Sequence, residues 1–386
     1  MHPSRLWRRA WNDATLRSSV RRTRRRQPAV VRAVRYANVF GLTTWDWRPR
    51  LTHNSLQNAC WGFCAGILPD VSRSFALIIP QCPEPLDRAM CVAYLICRLA
   101  DTVEDEAALT DEQRALLYDI LLAAVDAPDE PALAEEFRRR WPAIPADEYG
   151  RLVEGTPLVL AAYATLPAEL RGPIRTCVHD MIGGMRSMGV VEYRNGVGFV
   201  CRDMADLERY CHHVAGTVGI MSTALFEERL RQGGFAADAE WREDGRRLGL
   251  GLQMTNIIKD CRVDAERKVS FIPADFVDWA GSAYRLAPRR KAELFGCCIG
   301  HLDAGLRYTL AVPTAESGIR IFLLGSLLPA IATLEVAAPG TETHPRIDRA
   351  KMGEIVALIT SQTAENQALR NWYTAHRKRT LNLLFA

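Results

Sequence analysis

Residues 90–103 are apolar almost all the way round, and a run of that length without turn residues forms a helix buried on every side. Tyr94, Arg98, Asp101 and Asp105 nevertheless recur along it at intervals of four, three and four. On a 3.6-residue helix that spacing puts all four on one face. Charged side chains are seldom buried unless they are paired or bound to an ion. A stripe carrying both signs of charge on a core helix therefore implies a polar, liganded cavity inside the protein.

Residues 248–263 repeat the pattern. They read as a second core helix, with Gln253, Asn256, Asp260 and Asp264 on one face at intervals of three, four and four. One such row alone is an internal polar network with a solvated end. Two rows of i, i+4 aspartates, each with basic neighbours, point to metal-diphosphate binding. Four carboxylates around one cavity repel unless cations lie between them, and hard oxygen ligands select Mg2+ or Mn2+. Mg2+ is ordinarily shared between carboxylates and substrate phosphates. Arg73, Arg98, Lys259 and Arg262 are placed to neutralise the remaining diphosphate charge. Apolar walls around such a centre suit a long hydrocarbon, so the expected substrate is a prenyl diphosphate.

At 386 residues and 48% hydrophobic content the chain can bury a large core, as one big domain or two small ones. Helical spacing dominates and alternating strand patterns are scarce, so the fold reads as all-α. We draw a basic extension over 1–50 and a helical catalytic domain over 51–386. Residues 1–50 hold thirteen Arg, no Lys and two Asp, or +11; with a formal net of +4, the rest carries −7. The arm reads as a solvated segment or as a contact for an anionic membrane surface. Arg without interleaved aromatics is a poor signal for nucleic acid, and none is expected as a partner. Eleven scattered Cys with no C-x-x-C pair argue against zinc and fit reduced thiols in a cytoplasmic protein. No signal-peptide-like segment opens the chain. Residues 321–334 are uncharged but short of the roughly 20 a spanning helix needs, so the protein is expected to be soluble or peripheral on the inner face of a membrane.

Along the chain, residues 58–68 look helical, interrupted by Pro69-Asp70. Ser72-Arg73-Ser74 opens the next apolar run, as a simple cap or as an anion clamp. Residues 110–140 read as an outer helical pair without chemistry. Residues 174–188 read as an apolar helix ending at Gly183-Gly184, and 189–199 as a loop. Gly216 and Gly219, with Ala215, permit close approach of a neighbouring helix or ligand in the 207–226 helix. His212 and His213, about 100° apart on a helix, suit solvation or hydrogen bonding better than a metal.

Taken together, Ser72 to Ala76, Tyr94 to Asp105, Tyr210 to Gly219 and Gln253 to Asp264 followed by Phe271-Ile272-Pro273 resemble the squalene/phytoene synthase family, and its squalene synthases most closely. The resemblance covers roughly 58–338. It implies an all-α prenyl-synthase fold with a central active-site cavity. It also implies head-to-head joining of two farnesyl diphosphates through presqualene diphosphate, and reduction by NADPH to squalene. By position Asp101, Asp105, Asp260 and Asp264 match the Mg2+-diphosphate aspartates. Arg73, Ser74, Tyr94 and Arg98 match the phosphate-clamp and flap positions, and Tyr210 matches the tyrosine of the first half-reaction. Gln253 and Asn256 line the same helix, Asn256 near where the reductant acts. Val263 stands where the family commonly has Glu, and Lys268-Val269 replaces a Gly-Arg pair. Arg346-Ile347-Asp348-Arg349 does not reproduce the basic patch that grips NADPH in eukaryotic squalene synthases, and their C-terminal membrane anchor has no counterpart. Phytoene, dehydrosqualene or hydroxysqualene formation stays open within the family. Outside it stand a class I terpene cyclase and a non-catalytic prenyl-binding protein.

Overall fold

The computed structural model describes residues 55–385 apart from 73, 282 and 343; the 1–50 extension and Arg73 lie outside the described residues. The chain divides into two compact units, one ending at Ile182 and one running from Gly183 on.

In the first unit α1 (Ser55–Val71) packs on α3 (Leu86–Asp105), with a short α2 (Phe75–Ile78) between them. Pro69 does not interrupt α1 as the sequence suggests. It sits in the last turn, where a missing N–H costs one hydrogen bond near an end that frays anyway. The chain leaves the helix at Ser72, whose hydroxyl accepts the Phe75 N–H at 3.1 Å. Leu95, Ile96, Leu99, Ala100 and Val103 of α3 are fully buried. Each large aliphatic side chain there contributes about 1.5–3 kcal/mol by leaving water. The expected outer pair is α4 (Asp111–Asp126) and α5 (Pro131–Arg139). Thr110 and Gln113 close a reciprocal capping box at the start of α4. Pro131, read as a breaker, begins α5 at a position that needs no N–H. Two shorter helices, α6 (Glu148–Glu154) and α7 (Thr156–Ala164), follow, and α7 packs on α1 and α3.

The next helix, α8 (Ala168–Ser187), carries the chain from the first unit into the second and runs through Gly183-Gly184 rather than ending there. A Cβ on Gly184 would meet the His213 ring at 2.2 Å, so this glycine is kept for close packing and not for a stop. The 189–199 segment, read as a loop, is a hairpin of β1 (Glu192–Arg194) and β2 (Val197–Phe199). Asn195 at φ 50° and Gly196 at φ 75° make its two-residue turn, the mirror-image type that matches strand twist. Then come α9 (Met204–Cys211), a π-turn at His212–Gly216 and α10 (Thr217–Gln232).

The long α11 (Ala239–Glu266) is the axis of this unit and packs on α10 and on α12 (Pro288–Ala311). Between α11 and α12 lie β3 (Val269–Ser270), parallel to β2, and a hairpin of β4 (Val277–Ala280) and β5 (Ala283–Leu286). The expected small-residue approach is present: a Cβ on Gly249 would lie 2.2 Å from the Ala215 carbonyl oxygen, and one on Gly219 2.5 Å from that of Gly245.

The segment judged too short to span is α13 (Ser317–Ala337), 21 residues and long and apolar enough to cross a membrane by length and composition. Charged Arg320 bounds the uncharged 321–334 run and makes it look shorter than the helix. In the fold Arg320 is fully buried and donates to the carbonyls of Thr363, Val312 and Thr309 and to the Asn366 side chain. It ties α13 to the start of α15 (Asn366–Leu384) and the end of α14 (Arg349–Gln362), and α13 packs on α11, α12, α14 and α15. All eleven cysteines are free, nine of them buried.

Candidate active site

On α3 the predicted stripe exists as a linked chain. Arg98, buried, places Nη1 3.1 Å from Asp101 Oδ2 and donates from Nη2 to the Tyr94 hydroxyl at 3.0 Å. That hydroxyl donates in turn to the Val71 carbonyl at 3.1 Å, and the Tyr94 ring lies 5.5 Å from Phe75. Val71 and Phe75 are thereby held against Tyr94. Ser74 sits there exposed, with no side-chain cap bond of its own. Burial works against the Arg98 charge, but Tyr94, Asp101 and Tyr149 outweigh it and raise its pKa. Burial raises Asp101 in spite of Arg98. The guanidinium is thus secure while the carboxylate is short of positive charge. Tyr149 was not singled out from the sequence, since it lies on a separate helix with no motif around it. Asp105, part-buried, closes the stripe one turn on.

The α11 row is more deeply buried. The Gln253 side chain is 1% exposed, Asp260 6% and Asp264 9%, with Asn256 half-buried beside them. Gln253 Oε1 and both Asp260 oxygens accept no hydrogen bond among the described residues. Two basic side chains approach Asp260 without that alignment: Lys259 Nζ at 3.1 Å from Oδ2, and His344 Nδ1 at 2.9 Å from Oδ1. Asp264 is pushed up to about 7 by burial and then by the Asp260 charge, against Arg267 and Lys259. Buried oxygens that accept nothing, next to a carboxyl driven toward its neutral form, are what a site for a hard cation requires. The residues present therefore fit Mg2+ or Mn2+.

Arg262, expected among the diphosphate ligands, is a correction. It donates to the backbone carbonyls of Gly340 and Glu342. Two residues beyond Asp260 is about 200° around the helix, so its side chain leaves from the opposite face. That face lines a cavity of about 1350 Å³ within the second unit, walled by Arg262, Lys268, Arg285, Lys291, Trp279 and the 339–342 loop. His344 was missed because it comes from an irregular loop some eighty residues beyond Asp260, with no pattern to signal it.

Tyr210 is fully buried and stacks on Phe271 with ring centroids 4.7 Å apart. Sequence reading gave an unbroken helix here. The π-turn that follows takes an extra residue where Ala215 and Gly216 lie close against Gly249 and Leu250 of α11. His212 and His213 lie with ring centroids 5.4 Å apart, and the His213 ring packs on Gly184.

The family profile described as squalene/phytoene synthase matches residues 68–351. Squalene synthase 1 of Arabidopsis thaliana is 31% identical over 223 residues, which are 57% of this chain and 47% of that protein. Rat (Rattus norvegicus) squalene synthase is 27% identical over 328 residues, 82% of this chain and 72% of its own. The chain thus spans about half the length of the plant relative. A solved complex of TcSQS with a ligand superposes with a TM-score of 0.64 at 23% identity, covering 84% of this chain and 96% of that one. That likeness carries the all-α prenyl-synthase fold, and the profile match over most of the chain carries the lineage: this chain belongs to the squalene/phytoene synthase family.

Proposed function

We propose that the protein joins two farnesyl diphosphates head to head through presqualene diphosphate and reduces the product with NADPH to squalene. The observation that carries this is the α11 face, where Gln253 and Asp260 offer buried oxygens that accept no hydrogen bond among the described residues. Asp101 with Asp105, and Asp260 with Asp264, would each offer carboxylates to Mg2+, whose positive charge would stabilise a departing diphosphate. Arg98 and Lys259 would add cations toward that diphosphate, and the resemblance gives Ser74 and Arg73 a phosphate-clamp role. An allylic cation forms as the first diphosphate leaves, and the second farnesyl double bond attacks it. Loss of a proton closes the cyclopropane, and Tyr210 or the released diphosphate would take or relay that proton. The buried setting of Tyr210 and Phe271 keeps water from quenching the cation.

The reductive branch draws support from the cavity behind α11. Lys268, Arg285 and Lys291 suit the phosphates of a dinucleotide and Trp279 suits stacking on a base. Those residues would hold NADPH, which supplies hydride, with Asn256 and Gln253 on the cation side of the same helix. Peripheral contact with a membrane, where the hydrocarbon product would go, belongs to the same reading. Incubation with farnesyl diphosphate and Mg2+, with and without NADPH, tests it by product identity. Squalene that depends on NADPH supports it. Hydroxysqualene, dehydrosqualene or phytoene formed equally without NADPH removes the reductive step. No C30 or C40 product from any diphosphate removes the whole reading.

A further inference from the structure

Three side chains outside the α11 acceptor face converge on one point of the second unit. Cys297 and His301 are i, i+4 on α12 and share a face, and Glu208 reaches them from α9. Glu208 Oε1 lies 3.2 Å from Cys297 Sγ and 3.2 Å from His301 Nε2, and the sulfur and nitrogen are 3.7 Å apart. Bonds of about 2.3 Å to sulfur and about 2.0–2.2 Å to nitrogen and oxygen at tetrahedral angles need ligand separations of about 3.4–3.6 Å. The observed triangle departs from that by a few tenths of an ångström without any ion to draw it together. We propose that Glu208, Cys297 and His301 form a site for a thiophilic divalent cation, zinc by its ligand chemistry, with a fourth position open to water.

One thiolate, one imidazole and one carboxylate favour zinc over Mg2+, which takes oxygen ligands. Sequence spacing hid the group, since Glu208 is 89 residues before Cys297. In the ion-free state the three are held by hydrogen bonds: the thiol donates to Glu208, and Arg247 Nε donates to His301 Nδ1 at 3.4 Å, which leaves the imidazole proton on Nε2 toward Glu208. Burial and Glu208 push the thiol up to about 12. Ion binding releases the thiol proton to solvent, as metals do to coordinating thiols, and moves the imidazole proton to Nδ1. Arg247 opposes both changes, by its charge and by facing Nδ1 with a donor.

The test is a Co2+ titration of the full chain, stripped of metal and kept in excess Mg2+ so that the aspartate rows are already supplied. Thiolate-to-cobalt charge-transfer absorption and tetrahedral d–d bands should saturate at one Co2+ per chain and be displaced by Zn2+. Cys297→Ser should abolish the charge-transfer band, and Glu208→Gln should weaken binding by about tenfold or more. Arg247→Met should tighten it. Asp260→Asn should leave the band unchanged, which separates this site from the proposed diphosphate centre. No charge-transfer band in the wild-type chain, or a band that survives Cys297→Ser, overturns the proposal. Should Cys297→Ser not fold, an unchanged affinity in Glu208→Gln overturns it instead.

Discussion

Asp264 supplies a test of the metal reading that needs no substrate. Without metal its carboxyl titrates near 7 instead of at its ordinary 3.8, because burial and then Asp260 disfavour the anion. An acid raised in this way keeps its proton in the folded state while the unfolded chain has already lost it. Its contribution to stability is therefore fully present below 3.8 and is lost as pH climbs to about 7. A rise of about three units at about 1.4 kcal/mol each amounts to ~4 kcal/mol. With an unfolding entropy of about 2.1 cal/mol/K per residue over roughly 330 residues, that is ~6 °C in Tm. Melting curves between pH 5 and 8 in EDTA cross about two of those three units, so the wild type should lose ~3 kcal/mol or ~4 °C over that range and Asp264→Asn should show a flatter profile. Groups that do not sense the Asp264 charge titrate equally in both proteins and cancel in the difference. Mg2+ with inorganic diphosphate should restore the wild type at pH 8, do little at pH 5 and do little for Asp264→Asn at either. Equal slopes in the two proteins, or the same Mg2+ effect at both pH values, would refute the reasoning.

Asp101→Asn and Asp260→Asn should each lower turnover of farnesyl diphosphate on the order of a hundredfold or more, read by product formation, while the fold survives by circular dichroism. Gly249→Ala puts a methyl 2.2 Å from the Ala215 carbonyl oxygen, and denaturant unfolding should show a loss of about 1–3 kcal/mol. Lys268 holds φ at 70° just past the end of α11, where a side chain costs about 1 kcal/mol relative to glycine, so Lys268→Gly should raise stability by up to that amount in the same assay. Lys291→Ala should raise the KM for NADPH and leave that for farnesyl diphosphate unchanged; equal shifts in both would remove the cavity behind α11 from the reductive branch.

The two core helices were legible because an apolar run with one polar stripe has few other ways to fold, and Tyr94, Arg98 and Asp101 do form one linked chain. Gly183-Gly184 misled because glycine is read first as a stop, while here Gly184 makes room for His213. Asn195-Gly196 marked a turn, but strands of three residues are too short for alternation to show. Arg262 was assigned by type and neighbourhood. Counting its angle around the helix would have placed it on the far face, as the Gly340 and Glu342 contacts do. His344 and the Glu208–Cys297–His301 group depend on tertiary placement alone, which spacing along the chain does not encode.

The extra residue held at His212–Gly216 fixes more than a local bend. A residue added to a turn offsets everything on one side of it by about 100° relative to the other. The tyrosine that stacks on Phe271 therefore owes its heading to a miscount in the helix rather than to its own position. Deleting one of those five residues would send a different side chain toward Phe271 while every neighbour in the sequence stayed in place. Which side chain of this segment faces Phe271 is a matter of phase, and a comparison of relatives that ignored such an offset would align the right letters to the wrong direction.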